Sequence, residues 1–252
     1  VDNIAGEMQN YLNKFYDIFA DKILNVQQHR LQIKKEYVAR AGFWVAKKRY
    51  AQWIISNNGV PVDKLDVKGL DVIRSSFPKA FQDLMSKVLI EILKDTPQST
   101  ISDIILGFKS SMIQLSNTDI AKNSAVKELS KYMNVGSTKL FDFKKGAPAH
   151  VKAGIAYNDL LKYYKTPYKY APMKNGDKIK WVYLKRNPFG LDAVGFTGYK
   201  DPPEITKFID TYINHEKIFE RELLGKLQDF YDVLKWGLVL NEQKTASKFF
   251  NF

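Results

Sequence analysis

Apolar residues recur along this chain at two different periods, and each change of period marks a change of element. Over residues 3–26, Ile4, Met8, Leu12, Phe15, Phe19 and Ile23 stand three or four apart, which predicts an amphipathic helix with one buried stripe. Residues 30–56 alternate short polar and apolar groups and end at Asn57-Asn58-Gly59. That pattern predicts strands closed by a turn, because Asn-Gly favours positive φ, with residues 60–67 returning as a further strand. Helical spacing resumes at Phe81, Leu84, Met85, Val88, Ile92 and Leu93, with Ser76 as the expected cap and Pro78 in the first turn. A second helix is expected from Thr100, which has capping-box spacing to Asp103, through Ile104, Ile105, Phe108 and Met112.

Further on, Val151, Ile155 and the tyrosines from Tyr157 to Tyr164 predict a helix that stops before Thr166-Pro167. Asn175-Gly176 introduces a strand over 178–185, with Lys178 and Lys180 on one face and Ile179, Trp181 and Tyr183 on the other. Residues 193–196 read as a short strand. Pro202-Pro203 precede two helices, one through Ile205 and Ile209, the other through Ile218, Leu223, Leu227 and Phe230. The whole reads as α+β.

Charge sharpens this picture. The chain has 252 residues, 45% hydrophobic and 26% charged, with a net charge of +12, which is globular composition with a basic bias. Residues 139–186 hold twelve Lys and Arg against three Asp, and residues 29–50 hold seven against Glu36. Excess positive charge gathered in two stretches implies a surface directed at a polyanion, for which a nucleic-acid backbone is the common partner. There is no cysteine, so disulfide and thiol chemistry are excluded. No run of apolar residues is long enough to cross a membrane as a helix. His29, His150 and His215 are scattered, without zinc-site spacing, and no phosphate loop, nucleophile elbow or dinucleotide fingerprint is present.

The densest chemistry lies in residues 42–50, where Phe43, Trp44, Val45 and Ala46 run into Lys47, Lys48, Arg49 and Tyr50. This reads as a buried strand delivering charge to a surface. The cations supply point charges and a planar fork for phosphate oxygens, and the phenol a donor and a ring. Taken alone, such a run also reads as a solvated strand end. Glu36 is the lone acid nearby and reads as a counter-charge for Lys34, Lys35 or Arg40. A helix beginning near Ser75 and Ser76, beside Arg74, offers free N–H groups, hydroxyls and a cation to a phosphate. Six of the fourteen tyrosines fall between Tyr157 and Tyr183, interleaved with lysines, as suits a surface that neutralises phosphates and packs sugars or bases. Phe249, Phe250 and Phe252 stand in a polar setting after the periodicity has stopped. They read either as an anchor for a partner's pocket or as a segment folding back.

Taken together, Lys47-Lys48-Arg49-Tyr50, the turn at Asn57-Asn58-Gly59, Lys68-Gly69-Leu70-Asp71 and Arg74-Ser75-Ser76-Phe77-Pro78-Lys79 resemble the family B DNA polymerases of the T-even phage type. Pro148-Ala149-His150-Val151-Lys152-Ala153-Gly154 with Tyr157-Asn158, then Asn187-Pro188-Phe189-Gly190, continue the resemblance in order. It implies the C-terminal part of a polymerase palm over residues 1–69, a mostly helical thumb over 70–240, and a sliding-clamp-binding tail over 241–252 ending in Phe249, Phe250 and Phe252. It also implies that the initial helix lies against the palm sheet, and that residues 116–138 are partly extended, against a helical pattern around 121–133. The duplex-binding residues it implies are Lys47, Lys48, Arg49, Tyr50, Arg74, Ser75, Ser76, Lys144, Lys145, His150, Lys152, Tyr157 and Asn158. Glu36 resembles an auxiliary carboxylate near the family's metal site.

The family's polymerising motifs, Asp-x-x-Ser-Leu-Tyr-Pro-Ser, Lys-x-x-x-Asn-Ser-x-Tyr-Gly and Asp-Thr-Asp-Ser, are absent from this sequence. Two-metal phosphoryl transfer needs closely spaced carboxylates, so the chain alone is expected to hold no metal and to be inactive, with Mg²⁺ serving only the assembled polymerase. The resemblance therefore implies a C-terminal subunit or fragment of a replicative DNA-directed DNA polymerase. Its expected partners are a primer-template duplex, an N-terminal polymerase part carrying the carboxylates and a sliding clamp, with no membrane, in the cytoplasm of an infected bacterial host. A first residue of Val1 in place of Met fits a trimmed or processed product. A stand-alone, non-enzymatic duplex-binding protein is the alternative the missing motifs leave open.

Overall fold

The computed structural model describes residues 2–134 and 139–237, which form two units. The first runs to Leu70 and takes in Leu89–Thr96; the second holds Asp71–Val88 and the described residues from Pro97 onward.

In the first unit, helix α1 (Asp2–Lys22) precedes an antiparallel meander of β1 (Tyr37–Ala46), β2 (Arg49–Asn57) and β3 (Val60–Lys68), paired in that order. Asn58 and Gly59 turn β2 into β3 with φ of 49° and 84°, the paired positive values whose twist matches a two-residue hairpin. Val38, Phe43, Ala51 and Ile54 are buried. Residues 30–36, expected as strand, instead lie along α1: Asn13 Nδ2 donates to the Ile33 carbonyl at 2.9 Å, and Ile33 N–H donates back to Asn13 Oδ1 at 2.8 Å.

Helix α1 itself corrects an expectation. Its apolar stripe is only partly buried: Ile4, Met8, Phe15 and Ile23 are more than half exposed while Leu12 and Phe19 are half-buried, the neighbouring Tyr11 and Ile18 are exposed too, and among the described residues of the helix only Ala20 is fully enclosed. The periodicity formed the helix, but much of that face stays exposed.

The second unit is built on an antiparallel sheet of β4 (Lys122–Ala125), β5 (Lys178–Tyr183) and β6 (Ala193–Phe196), with helix α6 (Ala149–Tyr163) packed across it. Val151, Ile155 and Leu160 of the helix and Ile179, Trp181 and Val194 of the sheet are buried. The approach is close because Gly195 has no side chain: a β-carbon there would lie 3.0 Å from the Ala153 carbonyl oxygen. Lys178 to Trp181 alternate outward and inward as the strand pattern predicts, but the alternation breaks at the strand's end, where Val182 is buried and Tyr183 half-buried.

Around this core stand α2 (Lys79–Leu93, which spans both units), α3 (Gln98–Ser111), the short α4 (Asn117–Ile120) and α5 (Leu129–Tyr132), and α7 (Pro203–Tyr212). They are followed by α8 (His215–Ile218), a π-helical segment (Phe219–Leu224) and α9 (Gly225–Leu234). Two caps differ from expectation. Helix α2 begins after Pro78, whose carbonyl accepts from Phe81 N–H and Gln82 N–H, so Ser76 does not cap it. Instead Gln82 Nε2 donates to the Arg74 and Phe77 carbonyls and closes the entry turn. Helix α3 begins at Gln98 behind Pro97, which places Thr100 inside the first turn rather than at its cap. Residues 121–133 combine both alternatives: Lys122–Ala125 is extended, with Asn123 and Ala125 paired to Lys180 and Lys178 of β5, while Leu129–Tyr132 is helical. In the first of these, edge pairing to a formed strand outweighs a weak helical pattern. None of the described helices is long and apolar enough to cross a membrane.

Candidate nucleic-acid interface

Lys47 and Lys48 are not the end of a strand but the tip of the β1–β2 hairpin, with Ala46 opposite Arg49 and Trp44 opposite Tyr50 across it. Both lysines are exposed, and among the described residues neither has an ion pair or a side-chain hydrogen bond. Lys48 has φ of 63°, a left-handed conformation that costs a side-chain-bearing residue roughly 1–2 kcal/mol. Strained non-glycine residues of this kind gather at functional sites.

Gly69 holds the tip from behind. It has φ of 65°, and a β-carbon on it would fall 2.1 Å from the Lys48 carbonyl oxygen. Gly69→Ala is therefore expected to destabilise the first unit by about 1–3 kcal/mol and to displace Lys48; a urea titration followed by duplex-binding measurements would show both. Lys68 lies opposite Tyr50 across the β2–β3 ladder and adds a cation to this end of the sheet, although Asp66 pairs with it at 3.1 Å.

Glu36 is placed elsewhere. It precedes β1, and its carbonyl accepts from Asn58 N–H at 2.7 Å, so it marks the opposite end of the meander from Lys47. Ten strand residues at about 3.4 Å each separate the two. Its carboxylate raises the Tyr37 phenol above the usual value by its charge, with a hydrogen bond adding to the effect. Of the three cations expected to balance it, Arg40 stacks on Trp53 instead, 3.8 Å from the ring centroid.

In the second unit, Lys144 and Lys145 are exposed in the loop before α6. Two contacts fix that loop: Lys144 N–H donates to the Tyr132 carbonyl at 2.9 Å, and Phe141 N–H to the buried Asp159 carboxylate at 2.9 Å. Arg74 is exposed but pairs with Asp71 at 3.0 Å. Ser75 and Ser76 line a cleft of about 410 Å³ with Asn123, Ser124 and Lys178, and their carbonyls accept from Asn123 Nδ2 at 3.0 Å and Asn123 N–H at 3.4 Å, so this stretch meets the sheet rather than a helix terminus.

Two further expectations are corrected. Tyr157 is 1% exposed; burial first, and then the Asp201 carboxylate, raise its phenol far above the ordinary range. Asn158 spends both ends of its amide on the Met173 backbone. Both residues brace the fold because the inward face of α6 claims them: the Asn158 amide is committed to backbone, and the Tyr157 phenol reaches only the floor of a cleft beside Asp201.

Lys152 enters a cleft that sequence spacing could not show. The cleft, of about 260 Å³, is lined by Lys152, Lys217 and Arg221, with Asp192 and Tyr183 beside them. The cations come from α6, α8 and the π-helical segment. The π turn also buries Glu222, which pairs with Lys122 at 2.8 Å, leaving Arg221 in the cleft. Such segments are often associated with function. Lys217 and Arg221 were missed because they lie more than 60 residues from Lys152 and outside both basic stretches.

His150 is half-buried. Burial, and then the Lys122 cation, lower its imidazole below the usual value; burial and Lys185 do the same to His215. At neutral pH His150 is therefore a neutral imidazole rather than a cation. The linkage has a definite sign. A depressed folded pKa means that the unfolded chain binds protons more readily, so this stabilisation is complete above the unfolded value of about 6.5 and is lost as pH falls through the folded values. The urea midpoint is expected to drop below about pH 6.5, and the His150→Gln/His215→Gln variant to flatten that drop.

Among the described residues no group of His, Asp or Glu is placed to hold a metal ion. Phe249, Phe250 and Phe252 lie outside the described residues.

The model for DNA polymerase family B matches residues 3–229. This chain belongs to DNA polymerase family B. The DNA-directed DNA polymerase of Enterobacteria phage T4 is 24% identical over 216 residues, covering 81% of this chain and 23% of that protein. The DNA-directed DNA polymerase of Escherichia phage RB69 is 26% identical over 241 residues, covering 90% of this chain and 25% of that protein. The chain thus spans about a quarter of the length of these relatives. For a family B chain, the unpaired cations at the hairpin tip and the cationic cleft at the start of α6 are surfaces suited to a phosphate backbone.

Proposed function

We propose that this chain is the C-terminal portion of a replicative DNA-directed DNA polymerase, gripping the primer-template duplex by its backbone. The observation that carries the reading is the hairpin tip, where Lys47 and Lys48 project unpaired from a strained turn braced by Gly69. Point charges on a rigid two-strand support neutralise phosphates without reading bases, which suits an enzyme that must tolerate every sequence. In this reading the first unit belongs to the palm and the second to the thumb. Lys144, Lys145, Lys152, Lys217 and Arg221 extend the grip, Ser75 and Ser76 contribute at their own cleft, and Arg74 contributes from the exposed turn just before it.

The carboxylates that hold Mg²⁺ are assigned to the rest of the polymerase, since the family's carboxylate motifs do not occur in this sequence. The uncovered part of the apolar face of α1 is where that remainder would seat. This face favours a larger polymerase over a stand-alone duplex-binding protein, which would have no use for so large an exposed stripe. The host cytoplasm is the setting this role requires.

Primer extension with Mg²⁺ tests the reading, using this chain alone, the remaining polymerase polypeptide alone, and the two mixed. Extension that depends on the mixture is the expected result. Duplex binding by this chain with no extension in the mixture would favour the non-enzymatic binder.

Phe249, Phe250 and Phe252 are assigned to a sliding clamp. Deleting residues 249–252 is expected to abolish clamp-stimulated processivity and to spare binding to bare duplex; loss of both would assign the segment a structural role.

A further inference from the structure

A cleft of about 450 Å³ in the second unit, lined by the 169–171 turn and the 197–201 loop, takes no part in the surfaces described above. Its size is that of a small-ligand site. Each wall carries the same pair of residue types: Lys169 and Tyr170 on one, Tyr199 and Lys200 on the other.

Both walls are built rather than loose. Lys169 N–H and Tyr170 N–H donate to the Thr166 carbonyl at 3.0 and 3.1 Å, closing a turn directly after α6. Opposite, Asp201 accepts from Thr197 N–H at 2.7 Å, Gly198 N–H at 2.7 Å and the Thr197 hydroxyl at 3.0 Å. That carboxylate is therefore committed to the loop and to the buried Tyr157 phenol in the same cleft. The two ammonium groups of Lys169 and Lys200 outnumber the Asp201 carboxylate, whose oxygens are turned to the loop, so the cleft is net positive.

The aromatic residues are exposed to a degree that packing does not explain. Tyr199 is 82% exposed and Tyr168, at the edge of the same turn, 87%. The Lys169 ammonium lies 5.4 Å from the Tyr170 ring centroid, which keeps a positive charge beside an aromatic face.

We propose that this cleft binds a single-stranded polynucleotide, with a base packed against Tyr199 and Tyr170 and the flanking phosphates on Lys169 and Lys200. Exposed rings interleaved with cations are the means by which unpaired strands are held without sequence preference, because every base has a π-face and every linkage a charge. A paired duplex keeps its bases stacked inside and cannot offer one to such a cleft. The chain would then have two nucleic-acid surfaces: the phosphate-gripping hairpin for duplex, and this cleft for the unpaired strand that a primed template also contains. An acidic peptide would satisfy the lysines but make no use of the tyrosines.

The test is fluorescence anisotropy on the full chain with labelled (dT)12, (rU)12 and a blunt 20-base-pair duplex. Tyr199→Ala is expected to weaken (dT)12 binding roughly five- to a hundredfold, the range of one lost base–aromatic stack, and to leave duplex binding within about twofold. Tyr199→Trp restores the loss, and Lys169→Ala/Lys200→Ala lowers the salt slope for (dT)12 by roughly 1.4. Tighter binding of (rU)12 than (dT)12 would uphold the site and make RNA its ligand. No binding of either strand by the wild-type chain would overturn the proposal. So would an equal loss on strand and duplex in Tyr199→Ala, or displacement of (dT)12 by poly-glutamate to the same degree in wild type and Tyr199→Ala. Tyr199 is on the surface, so an unchanged urea midpoint verifies that the variant is folded. Strand binding without duplex binding would leave this site standing and remove the duplex assignment; the reverse would do the opposite.

Discussion

Lys48→Ala is expected to lower affinity for a primer-template duplex about tenfold, and Lys47→Ala/Lys48→Ala about a hundredfold. Each lysine is credited with one charge-assisted contact of about 1.5 kcal/mol, where 1.4 kcal/mol is a factor of ten. The change does not disturb the turn itself: lysine and alanine both bear a β-carbon, so each meets the same left-handed cost at a φ of 63°. What is removed is a charge with no partner among the described residues. Because a phosphate contact releases a counterion, each substitution should also lower the dependence of log K on log salt by about 0.9. Sequence preference should stay unaltered, since no base edge is lost. Extension by the reassembled polymerase should fall in parallel. Normal duplex affinity in the double variant would remove the hairpin from the interface and the proposed function with it.

Phe15→Asp is the second variant with a large expected effect, and it acts on assembly. Phe15 is 51% exposed and lies among Met8, Tyr11 and Ile18 on the uncovered face of α1, so the chain alone should fold as before. If the rest of the polymerase seats on that face, the substitution loses an apolar anchor and forces a carboxylate out of water. Central anchors are worth 2 kcal/mol or more, and desolvating an unpaired charge adds to this. Co-assembly is expected to weaken at least about a hundredfold, and extension by the mixture should fall with it. Duplex binding by the chain alone should be unchanged. Calorimetric titration of the two polypeptides, set beside duplex anisotropy, separates the effects. An unaltered assembly would show that α1 is not the seam.

Local chemistry was legible wherever one or two residues dictate the backbone. Asn58-Gly59 announced its hairpin because few other pairs accept positive φ at both positions. Residues 193–196 emerged as the strand expected, and α6 stopped ahead of Thr166-Pro167 as the proline requires. The entries to α2 and α3 were misread for a related reason. Prolines at 78 and 97 start those helices, and Ser76 and the capping-box threonine Thr100 stand at the wrong register to serve. The π-helical segment left no trace in the apolar spacing, since it shifts the register by a single residue within an otherwise helical pattern.

The sequence by itself determined the α+β class, most elements, the two basic stretches and the cationic run at 47–50, because composition, period and turn chemistry are local properties. Three things only the tertiary structure decided. It made Lys47 and Lys48 a hairpin tip, since strand register depends on which residues pair across the ladder. It drew Lys152, Lys217 and Arg221 into one cleft while withdrawing Tyr157 and Asn158 into the fold, since which face of α6 is buried depends on the sheet it meets. It left much of the apolar face of α1 in the open, since a stripe shows that a helix has something to bury but not whether the same chain provides the cover.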